Sequence, residues 1–181
     1  QVLCKLFADE LHMRLKYEEQ VDVTYCDRIF HASPLHDIGK VGIADNILLK
    51  PGKLTPEEFE IMKTHALIGS QTLEAVQHRF PNNEFLKMGI TIARSHHEKW
   101  NGKGYPDGLS GETIPLSARI MAIVDVYDAV RSKRVYKSPV SHQDTCELIL
   151  RDSGMHFDPD LIKVFGELQD KFNTVWSDIG E

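Results

Sequence analysis

A chain of 181 residues with 41% hydrophobic and 27% charged side chains is long enough to bury one substantial core. Its formal charge of −6 excludes a general binder of nucleic-acid polymers, because phosphate backbones are gripped by broad basic surfaces. No apolar run reaches bilayer-spanning length, and Cys4, Cys26 and Cys146 are odd in number, far apart and outside CxxC spacing, which predicts free thiols in a cytoplasmic protein.

The opening QVLCKLFADEL has no basic leader and no cleavage site. It lacks Met and begins in mid-helix pattern, which predicts a piece of a longer chain. Helical spacing of Leu3, Leu6 or Phe7, Leu11 and Leu15 predicts a helix from about Val2 to Tyr17, and a second from about Val23 to Ala32 follows. Ser33 before Pro34 reads as an N-cap, so a short helix should carry LHDIGK. The segment Val41 to Lys53, with Gly42, Pro51 and Gly52, reads as a loop. Thr55, Pro56 and Glu58 form a capping-box start for a helix reaching about Arg79, where FPNN breaks it. Further helices are expected from Glu84 to near His97, over LSARIMAIVDVYDAV after Pro115, from Ser141 to Asp152 and from Pro159 to Phe172. The class is all-α.

Several polar residues sit where this pattern should bury them. His36 and Asp37 are adjacent on the short helix, with Lys40 one helical turn beyond His36 on the same side. His65 shares a stripe with Met62, Gly69, Leu73 and Val76, so it points inward. Asp125 and Asp128 lie on a helix apolar around nearly its whole circumference, where a carboxylate costs several kcal/mol unless it is paired or metal-bound. Each feature alone has an ordinary explanation: a core histidine, a chance HH or HD pair, or an ion pair from Asp125 to Arg119 or Arg131. Together, His36, Asp37, His65, His96, His97 and Asp125 form a nitrogen and oxygen ligand set without a thiolate. Such a set suits a dinuclear or trinuclear iron or manganese site better than structural zinc. His12, His31, His78, His142 and His156 lack such companions and read as surface or structural. Glu98 reads either as an acid orienting a ligand histidine or as a solvated helix end.

The stretch HHEKWNGKGYPDGLSGETIP, His96 to Pro115, leads from the histidine pair into a glycine-punctuated loop that can bring backbone close to a ligand. HDIGK at 36–40, the single His65, HHEKWNGKGYP at 96–106 and ARIMAIVDVYDA with the later RVYK together resemble the HD-GYP family of bacterial cyclic di-GMP phosphodiesterases. The likeness covers nearly the whole chain, with the motifs in the family's order.

The resemblance implies a single HD-GYP domain over residues 1–181, an all-α HD-domain helical bundle with an extended GYP loop. It also implies an upstream receiver or sensory domain. It implies metal-dependent hydrolysis of cyclic di-GMP to the linear dinucleotide and onward to GMP, with two or three divalent ions, iron or manganese. His36, Asp37, His65, His96, His97 and Asp125 match metal ligands, with Asp37 bridging. Lys40 matches the lysine of the extended motif, Arg134 and Lys137 match phosphate-contacting cations, and Gly104, Tyr105 and Pro106 form the signature loop. In the proposed chemistry Asp37 and Lys40 are the catalytic pair, and Lys40, Arg134 and Lys137 neutralise phosphate oxygens. Tyr105 and Trp100 offer a face to guanine or pack the loop, anchoring of the loop being the simpler reading of Trp100. Other signalling proteins can dock on the loop, a homodimer is compatible, and no membrane contact is expected of this segment.

The chain departs from the family in three places. A further upstream histidine and acid have no counterpart, Ala44 stands where a proline is usual, and Val130 replaces a leucine. The first leaves room for two other readings: a noncatalytic cyclic-dinucleotide-binding or protein-interaction module, or an HD phosphohydrolase of another nucleotide.

Overall fold

A computed structural model describes residues 1–132 and 140–179. Helices α1 (Val2–His12), α2 (Val23–Ala32), α3 (Asp45–Leu48), α4 (Pro56–Lys63), α5 (His65–Gln77), α6 (Glu84–Ser95), α7 (Leu116–Arg131), α8 (His142–Arg151) and α9 (Pro159–Ile179) succeed one another. Among the described residues, β structure is limited to isolated bridges such as Asn101 with Ser110. The expected all-α class holds.

The starts of α2, α4, α6 and α8 follow the side chains that cap them. Asp22 accepts from the Tyr25 amide, Asn83 from Leu86 and Ser141 from Asp144, while Thr55 and Glu58 close a reciprocal capping box. Ser33 is an exception. Its backbone stays helical and its hydroxyl donates back to the Phe30 carbonyl at 3.3 Å, so α2 runs directly into a 3-10 stretch, Ser33–Gly42. That geometry corrects the expected register. A 3-10 turn stacks residues three apart, so Lys40 lies over Asp37 rather than over His36.

The first helix ends at His12, with a separate 3-10 turn over Leu15–Tyr17, and the long helix expected after Thr55 is divided at Thr64. There the Thr64 hydroxyl donates to the Ile61 carbonyl at 2.6 Å. The expected loop Val41 to Lys53 contains the short α3, and α9 continues past Phe172 to Ile179.

Helix α7 runs through the centre, packed by α1, α6, α8 and α9. Its buried Ile120, Ile123 and Tyr127 join Phe7, Leu11, Ile29, Ile92, Leu161, Phe165 and Phe172 in one core. Burying each such side chain stabilises the fold by about 1.5–3 kcal/mol. The 3-10 stretch lies against α5 and α6 on the edge of this core. Gly39 makes the approach feasible: a Cβ there would stand 1.9 Å from the His65 carbonyl oxygen and 2.4 Å from the Gly69 nitrogen. Two glycine backbones in contact set the distance between Asp37 and His65.

Candidate metal centre

Three histidines are fixed the same way. Nδ1 of His36 meets the Ser33 carbonyl at 2.8 Å, Nδ1 of His65 meets that of Met62 at 2.7 Å, and Nδ1 of His96 meets that of Ile92 at 3.0 Å. A carbonyl only accepts, so each Nδ1 carries the proton and each Nε2 is left free to present a lone pair. All three Nε2 atoms face the Asp37 carboxylate. The His65 and His96 nitrogens lie 3.4 and 4.0 Å from Oδ1, and the His36 nitrogen lies 3.3 Å from Oδ2.

The two carboxylate oxygens therefore face different groups. On the Oδ1 side, ligand atoms of Asp37, His65, His96 and His97 all fall within 4.8 Å of one another. Ligands about 2.1 Å from one ion stand roughly 3–4 Å apart, so this set is slightly wider than a closed coordination shell and small side-chain shifts would close it. On the Oδ2 side, His36 Nε2 is also 3.8 Å from Asp125 Oδ1, while Lys40 Nζ donates to Oδ2 at 2.6 Å.

The electrostatics call for a cation. The Nε2 atoms of His65 and His96 are buried and have no hydrogen-bond partner. Lone pairs facing a carboxylate repel it unless a proton or metal lies between. Burial and neighbouring imidazoles push His96 down to about 3 and lower His97 further, and burial also lowers His65. Those nitrogens stay neutral, as metal ligands must. Burial disfavours the charged forms of His36 and Asp37 too, but the carboxylates of Asp37 and Asp125 beside His36, and His36 and Lys40 beside Asp37, outweigh it. His36 is raised, and Asp37 is held well below the usual carboxylate range. Burial and the Asp37 charge raise Asp125. The donor set fits a hard or borderline divalent ion.

The ordinary alternative for Asp125 does not apply: Arg119 pairs with Asp158 at 2.6 Å, and Arg131 donates to Asn173. Asp128 accepts from the Trp176 indole at 3.1 Å. The remaining sites read as structural are accounted for where the contacts are clear: His12 bonds to the Val21 carbonyl, His142 to the Tyr127 hydroxyl, and His156 stacks on Phe157. Arg134 and Lys137 lie outside the described residues.

The loop after His97 folds back over the site. The Tyr105 ring lies 4.8 Å from that of His97, tilted by 32°. Gly104 permits this, because a Cβ would stand 2.3 Å from the Lys99 nitrogen and 2.4 Å from the Glu98 Cα. Trp100 anchors the loop, its amide donating to the His156 carbonyl at 3.0 Å. Glu98 is neither solvated nor bonded to a ligand histidine: it is 2% exposed and accepts from two loop amides. One cation at the rim was not singled out in the sequence. Lys63 Nζ lies 5.5 Å from the Tyr105 ring centre. Its place two residues before the inward His65 was the available signal. A cleft of about 430 Å³ opens beside Asp125 and Asp128, lined also by His36, Ser33 and Trp176.

The HD domain family matches residues 9–161. The chain belongs to that family. It is 46% identical over 97% of its length to the cyclic di-GMP phosphodiesterase of Vibrio cholerae, covering 36% of that protein. It is 42% identical over 90% of its length to the cyclic di-GMP phosphodiesterase of Thermotoga maritima, covering 43% of it. A 3'3'-cGAMP-specific phosphodiesterase of V. cholerae is 44% identical over 82% of this chain, with 28% of that protein covered. The chain thus spans less than half the length of these relatives. The crystal structure of a cyclic GMP-AMP-specific phosphodiesterase from V. cholerae superposes with a TM-score of 0.60 at 19% identity, covering 93% of this chain and 43% of that one, and so shares the fold. Among the described residues no helix is long and apolar enough to cross a membrane.

Proposed function

We propose that this HD domain is the catalytic part of a signalling protein and hydrolyses cyclic di-GMP to the linear dinucleotide and on to GMP. The observation that carries the reading is the pair of buried, partnerless Nε2 atoms of His65 and His96 aimed at Asp37. His36, Asp37, His65, His96, His97 and Asp125 would hold two or three divalent ions, with Asp37 shared because its two oxygens face separate ligand groups. Iron or manganese suits imidazole and carboxylate donors without a thiolate. When bound, such ions lower the pKa of the attacking water and polarise phosphoryl oxygens.

The chain's own groups supply the rest. In the reaction, the water oxygen bonds to phosphorus, one ring P–O ester bond breaks, and a water proton ends on the departing hydroxyl. Lys40, held at Asp37 by the 3-10 turn, offsets negative charge on a nonbridging phosphate oxygen as it builds. Arg134 and Lys137 are assigned the same duty. Lys63 adds a cation at the rim, and Tyr105, packed on His97, walls the site beside the substrate.

The test is anaerobic loading with iron or manganese, metal analysis, and chromatography of products from cyclic di-GMP and 3'3'-cGAMP. A linear dinucleotide from cyclic di-GMP supports the proposal. Preferential turnover of 3'3'-cGAMP would move the assignment to that substrate, and binding without turnover would make the domain a noncatalytic module.

A further inference from the structure

We propose that Glu98 is a positioning residue, a buried clasp that holds the 104–108 backbone so that the Tyr105 ring stays against His97. The inference rests on the reading of that loop as one wall of a phosphodiesterase site. The Glu98 carboxylate is 2% exposed, and its Oε1 accepts from the Asp107 amide at 2.7 Å and the Gly108 amide at 3.1 Å. Two backbone donors converging on one buried anionic oxygen form the stronger, charge-assisted kind of hydrogen bond.

Backbone contacts complete the clasp. The Tyr105 amide donates to the His97 carbonyl at 3.3 Å, and Gly104 lies against the backbone of Glu98 and Lys99. Residues 97–98 and 104–108 therefore form one closed turn, with Tyr105 between two fixed points. Arg94 adds a second hold on Asp107 through two hydrogen bonds of 2.7 and 2.8 Å, but that pair lies at the surface. Being bidentate, it is a hold that changes at Glu98 leave in place.

The carboxylate's other side explains its orientation. Glu98 and Arg119 border the same small cavity, yet Arg119 is committed to Asp158 at 2.6 Å, and Glu98 Oε2 has no partner. The acid's hydrogen bonds are thus directed at the loop rather than at Arg119. The Glu98 carboxylate is hydrogen-bonded to loop amides and not to a ligand imidazole. Its effect reaches the substrate through Tyr105.

The experiment compares Glu98→Ala and Glu98→Gln with the unaltered chain, all loaded with metal. Three readouts are taken: metal content, hydrogen exchange of the Asp107 and Gly108 amides, and KM and kcat for cyclic di-GMP. In Glu98→Ala, exchange at both amides and KM should each rise about tenfold, the scale of one lost charge-assisted bond, with metal content unchanged and kcat within about threefold. Glu98→Gln keeps an acceptor oxygen and should recover most of both effects. Unaltered exchange in Glu98→Ala overturns the clasp. A glutamine variant no better than alanine, with kcat, metal and melting temperature falling as KM rises, overturns positioning in favour of a purely structural role. If the unaltered chain turns over no cyclic dinucleotide, the function fails by itself, and amide exchange still judges the clasp.

Discussion

Asp37 Oδ1 lies 3.4 Å from the Nε2 of His65, a buried nitrogen without a hydrogen-bond partner whose other ring nitrogen is already bonded to the Met62 carbonyl. Two electron-rich atoms held this close by a rigid backbone are at rest only with a cation between them. Replacing Asp37 with alanine should empty the centre, seen as loss of bound metal in plasma emission together with loss of turnover. Asp37→Asn separates charge from shape: its amide can donate to an imidazole lone pair. The metal-free asparagine variant should therefore melt no lower than metal-free wild type while binding no metal. Full metal loading in either variant would remove Asp37 from the ligand set.

Gly39 and Gly104 offer a paired test of which backbone contact serves which function. Gly39→Ala drives a methyl group to 1.9 Å from the His65 carbonyl oxygen, parting the 3-10 turn from α5. The expected result is destabilisation on the order of 3 kcal/mol and loss of metal. Gly104→Ala collides with the backbone at Glu98 and Lys99 and displaces only the loop. It should keep its metal and lose activity. Equal metal loss in both would show that the loop also shapes the coordination shell.

Acid should weaken the metal-free fold. His96 and His156 are pushed down by burial to about 3 and about 4, and His97 is lowered as well, all from an ordinary 6.5. The unfolded chain takes up protons near 6.5 that the folded chain refuses, so stability is complete above that value and declines as pH falls toward these folded values. His36 acts oppositely: its raised value gives stability below 6.5 that is lost as pH rises. Five lowered histidines, His65 and His142 included, against one raised predict a falling urea midpoint for chelator-treated protein from pH 7.5 to 4.5. A midpoint that rises on acidification would show that His36 dominates.

Arg119 and Asp158 form a buried pair, with side chains 10% and 4% exposed. Removing one partner leaves the other charged and unmatched, so Arg119→Met should cost about 3–5 kcal/mol. Adding Asp158→Asn removes the stranded charge and keeps an oxygen for the Asp160 amide, which Asp158 Oδ1 accepts at 2.8 Å. Thermal melts should therefore rank the double variant above the single one. The opposite ranking would mean that Asp158 is stable without its arginine.

Chain order and residue type were enough to determine the helical class, the capped starts at Thr55 and Ser141, and the inward face of His65. These depend on neighbours within a few residues: a hydroxyl reaching an amide three positions on, or an apolar stripe recurring each turn. Of the six candidate ligands, the fold brings Asp37, His65, His96 and His97 together and sets His36 and Asp125 on the other side of the Asp37 carboxylate. What the tertiary structure decided lies between elements. A 3-10 turn placed Lys40 over Asp37, Gly39 against Gly69 set the depth of that turn, and Arg119 chose Asp158, which left Asp125 facing His36. Glu98 shows the difference most clearly. Its sequence position beside two histidines suggested a bond to an imidazole, but the loop's return path brought two unpaired amides closer, and a buried carboxylate bonds to the donors the fold delivers.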